Sequence, residues 1–234
     1  MIVRQTSGAL QLITQADHAH LAGAIMQQSV ALAAHPRRAS ILLAITEHDN
    51  GWEEPDAAPL IDPVTGFPLD FIAAPIGVRQ GVWPRGVARL AHNSWAAALV
   101  AQHALEIFAR YRSDMAWTPF FVRMEAMRGT MLHASGASLS ELVDDYRFLG
   151  LGDVISLTFC NGWTDEQRFD EWRVRLSGSQ VVVSPDVFGG IAIPIAVNAR
   201  ELRQRAFRSG HELRDELAAS SVTTVDGVVM SQPA

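Results

Sequence analysis

The chain has 234 residues, 48% of them hydrophobic, and a formal net charge of −6. That length suits one large domain with a real core, and no segment reaches the ~18 consecutive apolar residues of a membrane span. All 19 basic residues are arginine, which excludes lysine Schiff-base chemistry, a pyridoxal phosphate site and a P-loop, and their scatter argues against sequence-independent nucleic-acid binding.

Met1 to Ile13 alternates and breaks at Thr6-Ser7-Gly8, which predicts a short β-hairpin. Thr14, with Asp17 three residues on, is an N-cap signal for a helix from about Gln15 to Ala34. A second helix is predicted over Arg38 to Asp49, ended by Asn50-Gly51 as a left-handed cap. From Asn50 to Pro84 six prolines mark an irregular segment. It is longer than most loops, so it reads as a rigid meander or a cover over a binding site. A long helix is predicted over Arg85 to Tyr111, and another from Thr118-Pro119 to about His133. Ser138 and Glu141 form a capping box for a helix running towards Cys160, with a break at Gly150-Leu151-Gly152. Beyond Trp163, strands are predicted at Trp172–Leu176, Val181–Val183, Ile191–Val197 and Val222–Met230, with a short helix near His211–Ala219. The predicted architecture is a single domain over 1–234, mainly α. Its helical core covers about 14–163, flanked by a small antiparallel β layer built from 1–13 and 164–234. The lone cysteine, Cys160, excludes an internal disulfide and fits a reducing cytoplasm. Met1 to Leu12 lacks the pattern of a signal peptide.

Helical spacing sorts the polar residues. His18 shares a face with Leu21, Ala22 and Ile25, whereas His20 falls outward. His48 continues the stripe of Ile41 and Ile45, and Asp49 the neighbouring stripe of Leu42 and Ile45. Residues ~100° apart can converge on one ion in front of them. Asp153 lies on the apolar stripe of Leu142, Tyr146, Leu149 and Leu157, and a buried carboxylate must be protonated, paired or metal-bound. His92 and His103 share a face of the predicted long helix, ~16 Å apart along its axis, too far for one ion. Each residue alone has an ordinary explanation. His48 gains from the helix dipole, and Asp153 can pair with an arginine such as Arg147. Together, His18, His48, Asp49 and Asp153 form a donor set suited to Fe, Mn, Co, Zn or Mg.

The order His, adjacent His-Asp, distant Asp resembles the HD-domain superfamily of metal-dependent phosphohydrolases over about residues 14–163. The segments ITQADHAHLAG, EHDNGWEEPD, LIDPVTGFPLDF and LGLGDVISLTFC together resemble an uncharacterised bacterial family of HD-like proteins, the domain of unknown function DUF3891, over nearly the whole chain. The resemblance implies an HD-like helical core with His18, His48, Asp49 and Asp153 as ligands of one or two divalent metal ions. His103, in LVAQHAL, then falls where a second-metal ligand or an acid can sit. Asp49 and His103 are the implied catalytic residues, and Trp52 and Arg85 the implied substrate contacts. Many hydrolytic members carry lysine in an H-D-x-x-K pattern. Trp52 occupies that place here, so a phosphate would be held by arginines such as Arg79, Arg85 or Arg89, or the pocket is less charged. The implied activity is metal-dependent hydrolysis of a small phosphoester or related molecule, with no nucleic-acid or membrane partner. The alternatives are a di-iron oxygenase on the same scaffold and a non-catalytic ligand-binding protein. Oligomeric state is left open.

Overall fold

The computed structural model describes residues 1–233. Two strands, β1 (Ile2–Gln5) and β2 (Ala9–Ile13), lead into α1 (Gln15–Met26), α2 (Val30–Ala33) and α3 (Arg38–Glu47). Next come α4 (Glu53–Ala57), α5 (Ile76–Arg89), α6 (Ser94–Ile107), α7 (Thr118–Ser135) and α8 (Leu139–Asn161). The chain then forms β3 (Gln167–Phe169), β4 (Trp172–Ser177), β5 (Gln180–Ser184), β6 (Ala192–Arg203), α9 (Gly210–Ala219) and β7 (Val222–Ser231).

The strands form one seven-stranded sheet in the order β1-β2-β6-β7-β5-β4-β3. All neighbours are antiparallel except β5 and β7, which run parallel. This corrects the predicted fold class. The chain is 52% helix and 20% strand, and a curled mixed sheet forms a half-barrel rather than a small β layer on a mainly helical core. The N-terminal hairpin does join the C-terminal strands, through β2 on β6. Strand β6 makes the difference: its 12 residues pair with β2 at one end and with β7 along most of their length. One continuous apolar cluster runs from Ile2 and Ile25 through Leu99 and Phe159 to Val181 and Val229. Helix α8 packs on β1, β3, β4 and β5, and α1 on β6, while α3 and α6 pack on α8. Among the described residues, no helix is long and apolar enough to cross a membrane.

Helix boundaries follow local chemistry. Thr14 caps α1, its hydroxyl accepting the Asp17 N–H, and α1 ends at Met26 rather than Ala34. The Ser138–Glu141 box caps α8. The predicted helix over Arg85–Tyr111 is two helices. The Asn93 side chain accepts the Ala96 N–H and starts α6 afresh, which leaves His92 exposed in the turn. The predicted break at Gly150–Gly152 is absent, and α8 is continuous there. Those glycines admit neighbours instead: a Cβ on Gly150 would meet the Phe169 ring at 2.2 Å, and one on Gly152 the Met26 side chain at 2.7 Å. The Asn50–Pro84 segment is more ordered than predicted. It contains α4 and the first half of α5, with Pro84 inside that helix.

Candidate metal centre and pocket

Four helices deliver five chemically active side chains to one place. His18 comes from α1, His48 and Asp49 from the end of α3, His103 from α6 and Asp153 from α8; all five are buried. His18 Nε2 lies 2.8 Å from Asp49 Oδ2. His48 Nε2 lies 3.6 Å from Asp49 Oδ2 and 3.3 Å from Asp153 Oδ1. His103 Nε2 lies 3.7 Å from Asp153 Oδ2. Two triads result, His18/His48/Asp49 and His48/His103/Asp153, each with donor atoms within 4.8 Å of one another.

The surrounding bonds aim these rings. His48 Nδ1–H donates to the Ile45 carbonyl at 2.7 Å. Ser156 donates its hydroxyl proton to the Asp153 carbonyl at 3.0 Å, so it accepts from His18 Nδ1–H at 2.9 Å. Both rings therefore turn Nε2 towards the carboxylates, the orientation that outer hydrogen bonds give metal-ligating histidines. His103 Nδ1 lies 3.2 Å from the Tyr146 hydroxyl.

A metal ion fits this donor set. His48 Nε2 is buried and makes no well-aligned hydrogen bond, its nearest carboxylate oxygen being Asp153 Oδ1 at 3.3 Å, and such an atom is costly unless something completes it. His18 Nε2 and Asp49 Oδ2 face each other with lone pairs, a repulsive arrangement unless a proton or cation is shared. These buried His/Asp groupings could hold a metal ion. Without one, the charges compensate each other. Burial disfavours the His48 imidazolium, but Asp49 and Asp153 outweigh it and raise its pKa to about 9. Burial also penalises the Asp153 carboxylate, yet the imidazoles, His48 foremost, hold it down to about 2. Burial pushes His103 down to about 4, so this ring is neutral at physiological pH.

Above the cluster opens a cavity of about 190 Å³, whose lining includes Asp49, His103 and Asp153. Trp52, Phe71, Trp83, Phe108 and Trp163 supply aromatic walls, and Gln15, Arg79 and Arg110 supply polar edges. The predicted ligands His18, His48, Asp49 and Asp153 are thus brought together, with His103 beside them and Trp52 in the wall. Arg85 is not among the lining residues; it pairs with Glu54 at 2.8 Å. His92 has no part in the site, since it sits outside α6. Residues Gln15, Trp83, Arg110 and Ser156 were not singled out from sequence. Ser156 had a signal, lying three residues beyond Asp153 on α8.

Gly51, a left-handed cap by its sequence, has no positive φ. Instead the Asn50–Trp52 turn runs against α5, and a Cβ on Gly51 would fall 2.0 Å from the Val82 carbonyl oxygen. Glycine there lets α5 pass close to the His-Asp corner and sets Trp83 into the pocket wall.

The fold and site define an α+β half-barrel protein with a buried His/Asp centre at the floor of an aromatic pocket. Residues 1–204 match the family described as "Protein of unknown function (DUF3891)", and the chain belongs to that family. Neither the comparison with curated proteins nor that with solved structures finds a match.

Proposed function

We propose that the protein is a metal-dependent hydrolase of the HD type, acting on a small phosphoester or a related molecule. The observation that carries this reading is the convergence of four buried donors, His18, Asp49, His103 and Asp153, on His48, whose Nε2 makes no well-aligned hydrogen bond. His18, His48, Asp49 and Asp153 would hold the ion, with His103 completing the set or a second position. When bound, a divalent ion lowers the pKa of a coordinated water and polarises an ester oxygen. The chain's own residues do the rest. Ile45 and Ser156 fix the imidazole orientations. Asp49 and Asp153 face the cavity and can accept a proton from a bound nucleophile. His103 is neutral, which suits it to accept a proton or ligate rather than to serve as the acid the sequence suggested. Trp52, Trp83 and Phe108 keep bulk water from the floor.

One observation favours a second reading. Each triad is a two-histidine, one-carboxylate set, the donor combination of non-haem iron oxygenases, and the aromatic wall suits a substrate with an apolar body. The test is to assay a panel of phosphomono- and diesters, alongside oxygen uptake, on the protein as purified. Hydrolysis that is abolished in Asp153→Asn and restored by manganese or zinc in chelated wild type supports the hydrolase. Iron content with substrate-dependent oxygen uptake and no hydrolysis would replace it with the oxygenase.

A further inference from the structure

Three residues that line the cavity above the His/Asp floor carry buried side-chain donors without a partner. Trp52 Nε1, Trp83 Nε1 and Arg79 Nε all belong to lining residues, and each is buried with no partner. All three atoms are donors only, so the group that completes them must accept. The arginines point the same way. On α5, Arg85 and Arg89 both pair with Glu54, at 2.8 and 2.5 Å. Arg79 on the same helix, and Arg110 across the cavity lining, pair with no carboxylate among the described residues. Both sit against aromatic rings: the Arg79 guanidinium carbon is 5.4 and 5.8 Å from the Trp117 and Tyr111 ring centres, and that of Arg110 is 4.9 Å from Tyr111. Tyr111 and Trp117 are themselves stacked, 4.8 Å apart and 6° from parallel. Both guanidiniums hydrogen-bond the Tyr111 hydroxyl and lower its pKa, and with no carboxylate partner their charge is left to attract an oxyanion. Arg110 is exposed and Asp153 and His103 are buried, so the arginine marks the solvent end and the His/Asp cluster the deep end.

We propose that Arg79 and Arg110 form an oxyanion clamp at the pocket mouth, holding the carboxylate or phosphate of a small substrate whose flat apolar body lies against the tryptophans and whose far end reaches the floor. This deepens the metal-dependent reading of the floor and rests on it for the reaction, but not for binding.

The test is tryptophan-fluorescence titration of the full chain with benzoate, phenylphosphonate and the neutral benzyl alcohol, as purified and again after chelation. Both anions, or one, should bind at least tenfold more tightly than the alcohol, and the tighter anion identifies carboxylate or phosphate as the natural group. Arg79→Gln and Arg110→Gln should each weaken the anion at least tenfold and leave the alcohol unchanged, in both metal states. Arg110 is exposed, so its variant keeps the test decisive if Arg79→Gln does not fold. Equal binding of anion and alcohol, or anion binding indifferent to both substitutions, overturns the clamp. Arginine-dependent binding in a protein that neither holds metal nor turns over would keep the clamp and sink the hydrolase reading. Turnover without arginine dependence would do the reverse.

Discussion

His48 stands between two carboxylates, with Nδ1 tied to Ile45 and Nε2 facing Asp49 and Asp153 at 3.6 and 3.3 Å. Its pKa in the metal-free protein, about 9, lies above the ordinary value of 6.5. A histidine raised by folding contributes stability that is fully present below pH 6.5 and is lost as pH rises through about 9. Metal-free protein should therefore lose stability across that window in urea titrations, and His48→Gln should flatten the dependence. Metal binding has the opposite sign, because the proton on His48 must leave. Metal affinity should rise over the same window, and calorimetry at pH 7 in buffers of different ionisation heat should detect about one proton released per ion. Gly51 offers a second test at this scale. Gly51→Ala places a methyl 2.0 Å from a backbone oxygen that cannot swing away. Overpacking of this kind costs ~1–3 kcal/mol, a fall in Tm of roughly 2–12 °C at this chain length. Spacing picked out His18 over His20 and Asp153 from its apolar stripe, since helical periodicity is local. Arg110 and Trp83 had no such signal, because only the tertiary packing of α5 and α6 puts them on one cavity.

Helix α8 carries the site's closing carboxylate and also spans the junction with the sheet. Asp153 faces the histidines, while Gly150 opens the helix to Phe169 of β3 and Gly152 opens it to Met26 of α1. Gly150→Ala should lower stability by ~1–3 kcal/mol in thermal or urea unfolding. Phe169→Leu in the same chain should recover part of that loss, because the clash is with that ring; no recovery would mean the glycine serves another purpose. The same glycines read from sequence as a break, since a glycine's packing partner is invisible in one dimension. Elements with strong local caps were legible: Thr14 for α1, Ser138–Glu141 for α8, and the β1–β2 turn. The junction between α5 and α6 was not, because Ala91-His92-Asn93 carries no proline or glycine and continues the apolar spacing. Strand β6 was read short for a related reason. Its buried positions alternate from Ile193 to Ala199, then slip in parity to reach Leu202, and a small residue followed by Arg200 masks the continuation.

At the scale of the molecule, the half-barrel and the helices share one apolar cluster, so the donor set rests on a framework held from both ends of the chain. The central strand β6 joins the N-terminal hairpin to β7, and this long-range pairing is why the sequence yields six separate short strands, β3 not among them, rather than one sheet of seven. The framework matters to the chemistry because α1, α3, α6 and α8 all supply donors, and α3 and α8 each pack on the other three. Elemental analysis of the freshly purified protein tests the central claim most directly, with His48→Ala and Asp153→Ala compared at matched circular dichroism. The expected result is about one or two transition-metal or magnesium ions per chain in the wild type, falling at least tenfold in both folded variants. Wild-type protein without stoichiometric metal, or folded variants with unchanged content, would contradict a metal centre at this site.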